Sequence, residues 1–359
     1  MQAPGLRLLV PGNVRHNSGG NAYNAALLRA LADLGVAAVS RGVDGEWPVG
    51  SAADRQRFGR LLMEPDGGLV TLVDGLVACG APDQLEEAAA AGSPAWILLH
   101  MPLAAHPDLE RRALQAAAGV ICTSNSAAAA LQERHGLQGA GGGLGVSVAL
   151  PGTEPAPPAA GSDPPHLLAL AALLPNKDQL LLLRALSQLT DLDWTATLAG
   201  SDTADPAYAA LLRQEAASLG LAARVRLPGE LRGAELDAEW DAADLSLLIS
   251  RAETYGLVVT ESLARAVPVI VRKGTGAVEA LAAGSPTAAA PALPGAAVEL
   301  GEDPAPLAAL LRRWITDATL RGDWRAAARS ARAHLPGWDA TARTVVEILG
   351  GPAHPTNSQ

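Results

Sequence analysis

A chain of 359 residues is longer than one hydrophobic core sustains, since cores stop growing near roughly 250–300 residues, so two domains are expected. An apolar fraction of 49% and a charged fraction of 18% exclude a disordered or collagen-like chain. The formal net charge of −10 repels phosphate backbones and anionic bilayers, which argues against nucleic acid as a partner and against stable membrane insertion.

Short apolar runs alternate with alanine- and leucine-rich helical runs, the signature of parallel strands joined by crossover helices. In the first half the pattern predicts a strand over 6–10, a glycine-rich turn, a helix over 21–34, and strands over 69–73, 95–99, 119–123 and 146–150. The glycine run at 140–145 lacks the spacing and the lysine of a P-loop and reads as a loop. From 151 to 165 the composition turns to PGTEPAPPAAGSDPP, a semi-rigid linker. Beyond it the pattern predicts strands over 166–170, 195–200, 225–227, 245–249 and 267–271, with helices over 180–189, 207–219, 256–265 and near Ala277. A last helix over 341–349 precedes a tail, GGPAHPTNSQ, expected to fray. Cys79 and Cys122 are too few and too far apart for a disulfide framework or a metal site and read as buried hydrophobes. No run suits a signal peptide or approaches the roughly 20 apolar residues of a membrane span, so a cytoplasmic protein is expected.

Chemistry concentrates in SRAETYGLVVTESLARAVPVIV, residues 250–271, where Glu253 and Glu261 lie eight apart with Gly256 between them. If a helix starts near Gly256, Glu253 stays in the loop and Glu261 lies about 7.5 Å along the helix, roughly the length of a diphosphate. One carboxylate then accepts hydrogen bonds from a sugar and the other from a ribose, while unpaired helix N–H groups meet the phosphates between them. Two solvated helix-face glutamates are the competing reading of the spacing alone. Lys177 and Lys273 are the only lysines of the chain, which marks Lys177, at a helix start, as a cation for an anionic ligand rather than a merely solvated charge. Gly19 and Gly20, between a strand and a helix, form either an anion site or a tight turn without ligand. His100, at the end of the strand over 95–99, is either a site residue or a satisfied strand-end histidine. Asp191 and Asp193 spell D-x-D, the metal-holding pattern of a different fold, but between helix and strand they read as a turn. Glu279, near a helix start, reads as structural.

ETYGLVVTE followed by SLARAVPVIV resembles the E-x-[FY]-G-x4-E signature of glycosyltransferase family 4, the retaining GT-B sugar nucleotide transferases. SGGNAYNAALLRAL, ALLPNKDQLLLLRAL, the turn at Ala199, Gly200 and Ser201, and the segments 225–229 and 244–250 follow in the family's order, so the resemblance covers most of the chain. It implies an α/β, GT-B fold: two Rossmann-like α/β/α domains with parallel sheets facing an interdomain cleft. Residues 1–158 would be the acceptor-binding domain and 159–335 the nucleotide-sugar-binding domain, with 336–359 forming a C-terminal helix that packs back on the first domain, plus the frayed tail. It further implies that Glu253 contacts the donor sugar, with backbone amides of Tyr255, Gly256 and Leu257 holding the sugar and diphosphate, and that Glu261 holds the ribose. Lys177 would neutralise the diphosphate, Gly19 and Gly20 would let the backbone approach it, and His100 would lie near the transferred sugar. Lys177, Glu253 and His100 are the catalytic candidates.

Two positions depart from the family. Ala172 stands where many members carry an arginine, and Asp178 replaces a glycine common after the lysine. Neutralisation therefore falls on Lys177, with Arg251 or Lys273 as helpers, and an anionic Asp178 would weaken donor binding. The activity implied is retaining transfer of a sugar from a nucleotide diphosphate, with a UDP-sugar as working choice, to a hydroxyl of a small acceptor read by first-domain loops such as 41–48. No metal and no cofactor beyond the co-substrate are expected. The alternatives are a GT-B nucleotide-sugar epimerase or sugar phosphorylase, and a nucleotide-binding protein with a degenerate site.

Overall fold

Because the strands read as nearly continuous apolar runs, the sheets they form must be covered on both faces, and the only economical cover is the crossover helices between them. The computed structural model has this layered arrangement twice, and it describes residues 4–13, 18–65, 67–136, 145–285 and 293–350. Most of the glycine run at 140–145 and the tail after Gly350 lie outside the described residues. The chain divides into two compact units, Met1–Gly152 with Gly337–Gln359, and Thr153–Pro336.

The first unit opens with β1 (Leu6–Pro11), α1 (Gly19–Asp33), β2 (Ala38–Val43), α2 (Ala52–Met63), β3 (Val70–Asp74) and α3 (Gly75–Ala78). It continues with α4 (Pro82–Ala90), β4 (Trp96–Leu99), α5 (Pro107–Ala116), β5 (Gly119–Cys122), α6 (Asn125–His135) and β6 (Val146–Val148). All pairings are parallel, in the order β2-β1-β3-β4-β5-β6. Alternation along the strands splits the core: Leu8, Leu72, Leu98 and Ile121 face Tyr23, Leu27 and Leu31 of α1, while Leu9, Val73, Ile97 and Val120 face Phe58, Leu85 and Leu114 of α2, α4 and α5. The pattern did not predict β2, an edge strand whose central residues are exposed; its end, Arg41–Val43, takes up the start of the expected acceptor loop over 41–48.

The second unit runs β7 (His166–Leu170), a 3₁₀ turn (Pro175–Lys177), α7 (Gln179–Ser187), β8 (Thr195–Ala199), α8 (Pro206–Ser218) and β9 (Val225–Gly229). Then come α9 (Gly233–Ala242), β10 (Leu245–Leu248), α10 (Leu257–Ala264), β11 (Val269–Arg272), α11 (Ala277–Ala282), β12 (Gly295–Val298), α12 (Ala305–Thr316) and α13 (Ala318–Arg332). Its parallel sheet has the order β12-β11-β10-β7-β8-β9. The main core cluster packs Leu167, Leu198, Leu247 and Ile270 against α7, α8 and α12, with Trp194 and Trp314 fully buried. Each such side chain contributes about 1.5–3 kcal/mol of burial.

The proline-rich stretch read as a linker is fastened to the second unit: Ala159 N–H donates to Arg265 O, Gly161 N–H to Asp241 O, and Ser162 N–H to the Asp244 carboxylate. Proline supplies no amide donor, so glycine, alanine and serine make these bonds. The final helix, α14 (Trp338–Gly350), belongs to the first unit. Its Ala342 and Val345 join the α1 core, Trp338 meets Tyr23 edge to face at 5.2 Å, and Thr341 donates to Leu150 O. Among the described residues no helix is long and apolar enough to cross a membrane.

Candidate functional site

In a doubly wound sheet, ligands bind outside the carboxyl ends of the strands, where the strand order reverses. In the second unit that point lies between β7 and β10, because β7 continues to β8 on one side and has β10 on the other. The loops leaving these two strands carry the predicted site residues. Asn176 and Lys177 lie in the 3₁₀ turn after β7, and Arg251 N–H, after β10, donates to Asn176 O at 2.8 Å, which ties the loops together. The Lys177 ammonium then reaches the Glu253 carboxylate at 2.9 Å, and both side chains stay partly exposed. The family resemblance gives these residues separate roles; in the structure they are one ion pair.

Gly256 follows Tyr255, whose ring is buried and whose hydroxyl burial pushes well above its ordinary pKa. The Gly256 backbone is left-handed, φ 89°, and an added Cβ would lie 2.6 Å from a Leu248 methyl, so only glycine caps α10 here. Val259 N–H donates to Gly256 O, and among the described residues no side chain caps this helix, so the Leu257 and Val258 N–H groups keep their hydrogen-bonding capacity for another partner. Glu261 lies on α10; burial raises its carboxyl pKa against the weaker opposing pull of Arg265, and among the described residues no hydrogen bond or ion pair engages the carboxylate.

Beneath the pair lies Asp178, in a left-handed conformation (φ 59°) at the start of α7. Its buried carboxylate accepts from Arg272 and from Arg251 at 3.2 Å, while Arg272 also donates to Ile249 O and Leu300 O. This corrects two expectations. The Asp178 charge is neutralised by two guanidinium groups and anchors the loop instead of opposing a bound anion. Arg251 is committed to Asp178 and Glu302, and Lys273 pairs with Glu299 at 3.3 Å, so neither is an idle cation. Asp191 is held by both terminal nitrogens of Arg312, consistent with a structural turn, and Glu279 falls in the first turn of α11.

The first unit has its own switch point, between β1 and β3. Gly19 and Gly20 are the first turn of α1, two residues before the expected start, because the Ser18 hydroxyl caps the helix by accepting from Asn21 N–H at 3.1 Å. The ring of His100, just after β4, packs against Gly20 so closely that an added Cβ would lie 3.0 Å from Cδ2. His100 Nε2 is 2.9 Å from Asn24 Oδ1 and 3.4 Å from Asp74 Oδ2, and Asn24 Nδ2 donates to Asp74 at 3.0 Å. Burial alone would raise the Asp74 carboxyl, but His100, the Leu76 N–H and Asn24 together hold it below its ordinary value. Sequence reasoning missed Asn24 and Asp74. The signals available were a polar residue ending an apolar strand and an asparagine one turn after Gly20 on the same helix face.

Two parallel six-stranded sheets with crossover helices place the chain in the GT-B class of α/β proteins, the fold expected from the sequence. Residues 153–331, nearly all of the second unit, match the family model described as glycosyl transferases group 1. Sucrose-phosphate synthase from Thermosynechococcus elongatus has the same fold, with TM-score 0.74 and 18% identity, covering 96% of this chain and 98% of that one. Anabaena HepE in complex with UDP-glucose superposes with TM-score 0.70 at 17% identity, covering 96% and 99%. In sequence, a D-inositol 3-phosphate glycosyltransferase of Streptosporangium roseum is 35% identical over 152 residues, 42% of this chain and 32% of that protein. Its counterpart from Thermomonospora curvata is 31% identical over 200 residues, 54% and 44%. The chain thus spans less than half the length of these curated relatives.

Proposed function

We propose that the protein is a retaining glycosyltransferase of family 4, which moves a sugar from a nucleotide diphosphate to a hydroxyl of a small polar acceptor. The observation that carries this is the Glu261 carboxylate on α10, which no described residue engages, on a helix whose N-terminus follows the Lys177–Glu253 pair. A partly buried carboxylate lacking donors is costly, and vicinal ribose hydroxyls supply two. The diphosphate meets the α10 amides and Lys177, and Glu253, released from the lysine, accepts from the sugar hydroxyls. As the leaving diphosphate gains charge, Lys177 and the helix dipole stabilise it more than they stabilise the intact donor, which is what lowers the barrier. An oxocarbenium-like sugar then receives the acceptor oxygen on the face the diphosphate leaves, and a phosphate oxygen takes the acceptor proton. His100 meets the transferred sugar, the role its family counterpart implies.

A uridine donor is the first to try, because the HepE structures were determined with UDP, UDP and glucose, and UDP-glucose. Small polar acceptors come first for a parallel reason, the D-inositol 3-phosphate named in the curated relatives. The test replaces Lys177 and Glu261 separately by alanine and follows UDP binding by calorimetry and UDP release from UDP-sugars over a panel of polyol phosphates. Each change is expected to lower UDP release on the order of 100- to 1000-fold. Rates near wild type for both variants overturn the proposal.

A further inference from the structure

Around His100 the hydrogen-bond roles are over-determined. An ionised Asp74 only accepts, so the Asn24 atom 3.0 Å from it must be the amide nitrogen, and the Asn24 atom facing His100 must be the oxygen. The two polar neighbours of His100 Nε2, Asn24 Oδ1 at 2.9 Å and Asp74 Oδ2 at 3.4 Å, are therefore both acceptors. Nε2 has to carry a hydrogen whether the ring is neutral or charged. Asp74 is itself fixed, because its other oxygen accepts from Leu76 N–H at 3.0 Å and caps α3. The same ring edge, through Cδ2, packs on Gly20, and Tyr23 meets the ring edge to face at 5.3 Å while its hydroxyl donates to Ala149 O. Among the described residues no hydrogen bond uses Nδ1.

From this geometry we infer that Asp74, acting through Asn24, is a positioning residue that locks His100 in the Nε2–H tautomer and leaves Nδ1 as the nitrogen with the lone pair. Neutral His100 then offers a lone pair at Nδ1, which accepts from a hydroxyl; a neutral ring of the other tautomer offers a donor there instead. The assignment of that hydroxyl to substrate rests on the transferase reading above, whereas the tautomer does not.

The test is nitrogen-15 NMR of the imidazoles in the full chain, with the His100 signals identified by their loss in His100→Gln. In its neutral form, wild-type His100 is expected to show the Nε2–H pattern alone. Asp74→Asn keeps the acceptor that caps α3 but adds a donor. The amide chain can then invert, Asn24 can donate to Nε2, and the Nδ1–H form is expected to appear. The same variant should lower UDP release roughly 10- to 100-fold with UDP affinity unchanged, by analogy with tautomer-setting carboxylates elsewhere. A measurable Nδ1–H population in the wild type overturns the inference without need of any variant, and so does an unchanged tautomer in Asp74→Asn. Full UDP release by His100→Gln would strike the transferase role of His100 and leave the tautomer result standing.

Discussion

Each unit buries one aspartate at its switch point, and the two are answered by different chemistry. Asp178 meets two guanidinium groups, Arg272 and Arg251, beneath an ion pair of Lys177 and Glu253. Asp74 meets an amide, an imidazole and a helix N–H. One fold thus supports a switch point of balanced full charges in one unit and, in the other, a switch point built from hydrogen bonds to a single carboxylate. The first is suited to exchange its internal ion pair for a charged ligand, and the second to hold one side chain in a fixed protonation pattern.

The comparison breaks if the two aspartates prove interchangeable. Asp178→Asn keeps the shape and tolerates the left-handed backbone, but leaves Arg272 buried without its anion, so a loss of about 3–5 kcal/mol is expected. Asp74→Asn loses hydrogen bonds to a carboxylate but strands no full charge, and should cost less, about 1–3 kcal/mol. Urea unfolding followed by hydrogen exchange resolved by unit measures both; equal losses would erase the distinction.

Charge at the second site also sets a pH dependence. Burial raises the Glu261 carboxyl above its ordinary 4.5, so the folded protein keeps its proton to higher pH than the free side chain does. Ribose hydroxyls donate to the ionised form, and binding must therefore lower that pKa and release a proton. UDP affinity is expected to rise with pH through the window above 4.5 where the free protein is still protonated, by up to about tenfold per pH unit, and to level off beyond it. Calorimetry across pH reads the slope, and Glu261→Gln should flatten it; a slope that survives the substitution assigns the proton to another group.

How much of this the sequence disclosed depends on how local each signal is. The α/β alternation, the glycine cap at 256 and the isolated Lys177 are written within a few neighbouring residues, and the fold and the second site were read from them. The ion pairs that stabilise the site join Asp178 to Arg272, 94 residues away, and Asn24 meets Asp74 across 50, distances over which composition carries no trace. Asp178 read alone is therefore a misplaced anion, and only with Arg272 in place does it become an anchor. Strand β2 escaped for the opposite reason: an edge strand with exposed central residues lacks the apolar run that betrays its neighbours.

A smaller effect separates the ligand end of the second sheet from its other end. His166, the first residue of β7, is buried with Nδ1 2.7 Å from Thr195 Oγ1 and Nε2 2.8 Å from Glu239, which also accepts from Arg226. Burial lowers its pKa below 6.5 despite the attraction of Glu239 and Asp244, with Arg226 adding to the lowering. Below 6.5 the unfolded chain takes up a proton that the folded one resists until its own lower pKa is reached, so stability is complete above that pH and falls as pH drops through the window. One proton gives a slope of at most about 1.4 kcal/mol per pH unit. His166→Gln keeps a polar partner for Glu239 and does not titrate, so it should remove this slope from urea unfolding between pH 5 and 7 at ~25 °C while leaving the UDP affinity profile of Glu261 untouched. If the affinity profile moved with it, the two ends of the sheet would be coupled, and the site could no longer be treated as the work of the switch-point loops alone.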